Sequence, residues 1–170
     1  MKISDAFKGL FGSQQVTTFA GSRGELSKAR LYEYSQHFFV CSVRWIAETD
    51  SVTVIPQTCD DKAIGDAISR HLDEFDASEF DLSGRKRSDW AAFRASDAKS
   101  IKAFEAGLWS VDLGSWGSEV TVTAWPRSAI DKPVKPVILK SETDDPASIG
   151  MALRSALERA KSLSVIGSSH

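Results

Sequence analysis

The sequence predicts an α/β chain of the α+β kind, with a largely antiparallel central sheet flanked by helices. Three observations predict it. Apolar runs of strand length occur in pairs separated by turn residues. Two longer segments carry apolar residues at helical spacing behind acidic caps. Those two segments also align with each other without a gap, identical at six of fifteen positions. The length of 170 residues fits one domain over 1–170, and 42% hydrophobic with 26% charged residues is a globular rather than a disordered composition.

Taken in order, Ile3, Phe7, Leu10 and Phe11 form an apolar stripe with Lys2, Asp5 and Lys8 off it, as in a short terminal helix that docks on the body. A Gly/Ser/Arg-rich approach, 20–28, follows. His37 to Ala47 reads as a strand with apolar residues on both faces, hence one inside a covered sheet. Glu48 to Ser51 supplies turn chemistry, and Val52 to Pro56 returns as the second arm of a hairpin. Thr58, Asp60 and Asp61 then offer caps to a helix whose inner face is Ile64, Ala67, Ile68, Leu72 and Phe75. Two short helices are expected next, one behind a Ser88 cap through Trp90 and Phe93. The other runs from a Ser96 cap through Ile101 and Phe104 to a stop at Gly107. Strands at 108–113 and 119–125 make a second hairpin, 137–140 a further strand, and 144–162 a closing helix. Trp45, Trp109 and Trp125 fall at strand positions and read as core.

The segments 58–72, TCDDKAIGDAISRHL, and 143–157, TDDPASIGMALRSAL, align without a gap. Gly65 and Gly150 each follow an isoleucine. A helical glycine costs about 1 kcal/mol against alanine, so its presence in both copies calls for close approach, expected here to be of helix to sheet. The reading is a duplicated hairpin–helix unit, 37–75 and 107–162.

Function is approached mainly by exclusion. A net charge of −2 does not suit a general nucleic-acid binder. Cys41 and Cys59 form neither a disulfide framework nor a C-x-x-C motif and read as reduced hydrophobes. No apolar run reaches membrane-spanning length, and the first residues lack a signal-peptide pattern, so the cytoplasm is the expected compartment. Phosphate-binding, dinucleotide, zinc-protease and nucleophile-elbow motifs are missing. His37 and Cys41 would sit about 13 Å apart along one strand, too far for proton transfer. His71 reads as a core-boundary residue. No catalytic, cofactor-binding or metal-ligating residue is therefore assigned.

Two features fit a protein partner instead. Asp73, Glu74, Asp76, Glu79 and Asp81 form an acidic run with no base among them, suited either to plain solvation or to steering a basic partner. Arg85, Lys86 and Arg87, just beyond, are placed to neutralise it. Trp116 stands at a hairpin tip, where it either folds back over the sheet or anchors an interface.

The pattern Asp-Asp-x-x-x-Ile-Gly-x-Ala, read at 143–157 and ending in Ala160-Lys161-Ser162, with a copy at 58–72 that shares Asp-x-x-x-Ile-Gly-x-Ala, resembles the contact-dependent growth inhibition immunity proteins of Gram-negative bacteria. The polar stretch 76–100 is not part of that pattern. The resemblance implies a non-enzymatic protein that binds and blocks the toxin domain delivered by a sibling cell, commonly a nuclease. It carries over no catalytic residue and no cofactor. The competing readings are a scaffold or oligomerisation domain and, less favoured, a small enzyme with a dispersed site.

Overall fold

In the computed structural model, residues 26–79, 81–127, 135–142 and 144–166 are described. The expected terminal helix at Ile3 to Phe11 and the tail residue His170 lie outside them, as does Thr143, the first residue of the second repeat segment. Six strands, β1 (Ser27–Tyr34), β2 (His37–Arg44), β3 (Ala47–Pro56), β4 (Trp109–Trp116), β5 (Glu119–Ala124) and β6 (Val137–Ser141), form one antiparallel sheet. Their order is β3-β2-β1-β4-β5-β6. Helices α1 (Asp61–Asp73) and α4 (Pro146–Ile166) cover one face. On the other face, a 3₁₀ turn (Arg87–Asp89) and two short helices, α2 (Ala91–Ala95) and α3 (Ile101–Gly107), cover the β1–β3 half. The expected antiparallel α+β architecture is observed.

The sheet's central strand went unread in the sequence. β1 alternates Ala29 and Leu31, buried under the helices, with Arg30 and Tyr32 on the other face. A charged or hydroxyl-bearing residue at every second position disguised it as part of the polar approach. The first hairpin turn is likewise displaced. It is the pair Trp45–Ile46, with Trp45 at φ 55°, and not 48–51. Glu48 stays in the strand because its carboxylate has partners there: Tyr32 Oη and Arg30 Nη1 (3.2 Å) across the sheet, and Trp90 Nε1 (2.7 Å) from the cover. With Trp45 at a turn and half-exposed, the expectation that it is core fails. Trp125, which follows β5 and donates its indole N–H to Asp112 (3.0 Å), is also outside the core.

Beneath α2 and α3 lies an aromatic cluster. Phe104 is fully buried, with Tyr34, Trp90 and Tyr32 at ring-centroid distances of 4.9, 5.0 and 6.3 Å. The caps differ from expectation. Ser100, not Ser96, accepts from the Ala103 amide at the start of α3 (3.1 Å), and Ser88 lies inside the 3₁₀ turn. Ser96 closes the C-terminus of α2 by donating to the Phe93 carbonyl (2.7 Å).

Two halves share one plan, three antiparallel strands and then a helix. A shift of 82 positions carries the β1–β2 pair Ala29–Ser42 onto the β4–β5 pair Val111–Ala124 in the same register. The same shift carries Arg30 onto Asp112, and these two residues pair with each other at the centre of the sheet (3.1 Å). The glycines are related as well, by a shift of 85 positions, though their neighbour is not the sheet. A Cβ on Gly65 would overlap the Pro146 carbonyl at the start of α4. One on Gly150 would overlap the Asp61 carbonyl at the start of α1. The helices cross where each has its glycine, and the expected approach to the sheet is replaced by approach of helix to helix. Asp60 and Asp145 cap the two helices alike, accepting from Ala63 N (2.7 Å) and Ser148 N (2.9 Å).

Candidate functional site

The buried polar groups hold the fold together and leave little for chemistry. Cys41 is fully buried, and burial followed by the nearby Glu48 carboxylate pushes its thiol well above the ordinary range. A thiol kept neutral is no nucleophile. His37 is exposed, its Nδ1 2.9 Å from the Ser35 carbonyl oxygen. Among the described residues, no group of three or more His, Cys, Asp and Glu side chains is placed to hold a metal ion. No described helix is long and apolar enough to cross a membrane.

His71 and Glu74 come together with Ser42 in what looks at first like a hydrolytic triad. His71 Nδ1 lies 2.5 Å from Ser42 Oγ, and Ser42 donates to Glu74. On the far side of the ring, Nε2 lies 2.7 Å from Thr53 Oγ1, which accepts from Arg70. The donors run in one direction, from Arg70 through Thr53, His71 and Ser42 to Glu74. That chain leaves imidazole neutral, with its proton on Nδ1. Ser42 is only 2% exposed, so no substrate reaches it. The network ties α1 to β2 and β3.

Burial holds the His71 pKa below its usual 6.5, against the pull of Glu74. Hydrogen bonds from Ser42 and then Ser51 hold Glu74 below its usual 4.5. Both folded-state values are depressed, so the unfolded chain takes up each proton first. The stability that neutral His71 contributes is intact above about pH 6.5 and is lost as pH falls below it. Glu74 adds a second loss below pH 4.5. A Tm series from pH 7.5 to 5 should fall in the wild type. It should fall less in His71→Gln, which keeps a side-chain amide and does not titrate.

At one end of the sheet the surface has a different character. β1 begins, β2 ends and β4 ends there. Four large apolar side chains are left open: Trp45 (42% exposed), Ile46 (48%), Leu26 (44%) and Trp116 (46%). Leu26 and Trp116 come opposite one another one step beyond the Ser27–Ser115 pair, and Leu26 leans over Gly114. The Trp45–Ile46 turn tops β2. Gly117 at φ 59° allows the tight turn that leaves Trp116 at the tip of the next hairpin. Exposed aromatic side chains grouped in this way are uncommon on a surface that meets only water.

The acidic run enters this rim. The ladder between β1 and β2 stops at Ala29–Ser42, and beyond it Asp76 bridges to the end of β2. The Trp45 amide donates to the Asp76 carbonyl (2.6 Å), and the Asp76 amide to the Val43 carbonyl (3.3 Å). Arg44 pairs with the Asp76 carboxylate (3.1 Å) and donates to Ser78 Oγ (2.9 Å), fixing the segment beside the turn. The five acids now separate by role. Glu74 is held by Ser42 and Ser51, and Asp76 by Arg44 and the Ser78 amide (2.8 Å). Asp81 caps the next loop through Ser83 N (2.8 Å). Asp73, Glu79 and Asp81 are exposed and carry no ion pair among the described residues. The expected neutralisers point elsewhere, Arg85 to Asp50 (3.1 Å) and Arg87 to Glu105.

Trp116 and the acidic run, separate features in the sequence, thus share one end of the sheet. Trp45, Ile46 and Leu26 join them there, and sequence reasoning missed all three. A positive-φ tryptophan carries no sequence signature, and Leu26 became legible only once β1 was known.

No family model and no curated protein matches the sequence. Solved structures do. A Neisseria meningitidis protein of unknown function aligns over 83% of this chain and 99% of its own, at a TM-score of 0.65 and 16% identity. A chain from the CdiA-CT/CdiI toxin and immunity complex of Yersinia pseudotuberculosis aligns over 81% of this chain and 98% of its own, at a TM-score of 0.59 and 16% identity. The similarity is one of fold and extends over nearly the whole of each neighbour.

Proposed function

We propose that this chain is an immunity protein that binds and neutralises a toxin domain, with a nuclease as the favoured class of toxin, and that the apolar rim with its acidic border is the binding surface. The observation that carries the reading is that rim. It groups aromatic anchors at the end of the sheet that the acidic run meets at Asp76, on a fold shared with a chain of a toxin and immunity complex. Tryptophan anchors at the centre of an interface with charge around them are what a tight protein contact needs. A nuclease cleft is basic because it must hold phosphates, and a carboxylate border complements it. Binding by occlusion requires no catalytic group on this chain.

The electrostatic part is tested separately from the apolar part. The triple variant Asp73→Asn, Glu79→Gln, Asp81→Asn removes the carboxylates lacking ion pairs and leaves Glu74 and Asp76 to hold the fold. Its association rate with a cognate toxin domain should fall about tenfold at low salt and converge with the wild type at high salt, because exposed charges are screened over roughly 8 Å at physiological ionic strength. Equal rates at every salt concentration would remove the acidic border from the interface.

A further inference from the structure

We propose that Gly114 marks the point where the toxin domain comes closest to this chain: a segment of that partner lies against Gly114 at backbone distance, on the open face of β4, and carries a carboxylate that pairs with Lys28. The inference rests on the toxin-binding reading and names a contact within it. Asp112, Gly114 and Trp116 point away from Val111 and Leu113, which are buried under the long helices. On that outer face the aromatic cluster beneath α2 and α3 is built on β1–β3. Over β4–β6 the same face leaves Trp116, Trp125 and Ile138 exposed. The strand register sets Lys28, Gly114, Thr121 and Lys140 in one row across it.

Glycine weakens a strand interior, because it loses more entropy on folding and packs nothing. Every other described glycine has a reason inside the fold. Gly84 and Gly117 adopt positive φ, a Cβ on Gly107 would strike the Tyr34 ring (2.6 Å), and Gly65 and Gly150 sit at the helix crossing. Gly114 has no such reason. Its φ is not positive, and a Cβ there would meet only Leu26 Cδ1 and the Ser27 carbonyl oxygen, both at 3.9 Å, an ordinary contact distance. A strand glycine that the fold does not require points to close approach from outside. The rim says what approaches, since Gly114 lies one row from the facing Leu26 and Trp116 and is continuous with that surface. Charge says what it carries. Lys140 is already paired with Glu119 (2.7 Å), whereas Lys28, directly across from Gly114, has no ion pair among the described residues. A carboxylate complements it.

Gly114→Ala and Gly114→Val test this beside Trp116→Ala, by titration calorimetry on the full chain against a cognate toxin domain identified by co-purification. Both Gly114 variants should match or exceed the wild-type Tm, because valine suits a strand and the site has room. Their affinity should nevertheless fall, about tenfold for alanine and further for valine, as the new side chain holds the partner off. Lys28→Glu should weaken binding about tenfold at low salt and less at high salt. Undiminished affinity in Gly114→Val, with Trp116→Ala weakened, would overturn the inference and leave the toxin-binding reading standing. Undiminished affinity in both would remove this end of the sheet from the interface and end the two together. A Tm that falls in both Gly114 variants would show that the glycine serves the fold, and would also overturn the inference. Unchanged binding by Lys28→Glu would strike out the carboxylate.

Discussion

Gly65→Ala and Gly150→Ala should each destabilise the protein by about 3 kcal/mol, although alanine is the better helix former. Propensity alone predicts the opposite, a gain of about 1 kcal/mol at a helix-interior glycine. Geometry decides the sign. The added methyl would overlap a backbone carbonyl of the other helix, Pro146 for Gly65 and Asp61 for Gly150. Backbone at a capped helix start has no alternative rotamer, so the helices must separate. Separation would loosen the core packing of Ile64, Ile68, Ile149 and Leu153, all 0–1% exposed. Chemical denaturation of the two variants checks this. Similar losses at the two sites are expected because the contacts are equivalent, while a gain at either site would refute the crossing.

That pair of glycines also shows how far the sequence could be read. The repeat spacing, the caps Asp60 and Asp145 and the periodicity of both long helices were visible because they are local. What each glycine touches was not, since helix against sheet and helix against helix demand the same small residue. β1 was missed because its outward residues Arg30 and Tyr32 are held by Glu48, a partner 18 positions from Arg30 that itself read as a turn. One misreading caused the other. Strand assignment by alternation fails where a buried carboxylate organises one face, because the ion pair that makes the arginine tolerable is nonlocal. The acidic run and Trp116 could be singled out by composition and position. Their shared end of the sheet depends on strand order, which no local pattern encodes.

The second large effect is expected at the rim. Trp45→Ala and Trp116→Ala should each weaken partner binding by about thirtyfold or more, the range of a central aromatic anchor. Both side chains are more than 40% exposed and neither belongs to a core cluster, so Tm should change little. Trp116→Ala is the cleaner of the two, because Trp45 also shapes a turn at positive φ. Trp125→Ala, on the same sheet but away from the rim end, is the control and should leave binding unchanged. Loss of affinity in all three alike would point to a general weakening of the fold, and the Tm values would show it.

The central claim is that this chain neutralises a toxin through that end of its sheet. Its most direct measurement is titration calorimetry of the wild type and Trp116→Ala against a cognate toxin domain identified by co-purification, with that domain's activity followed in parallel. The account predicts a 1:1 complex in which the wild type abolishes activity and Trp116→Ala binds about thirtyfold more weakly or more, with inhibition reduced to match. No binding by the folded wild type, or full inhibition by a Trp116→Ala chain of undiminished affinity, would contradict it.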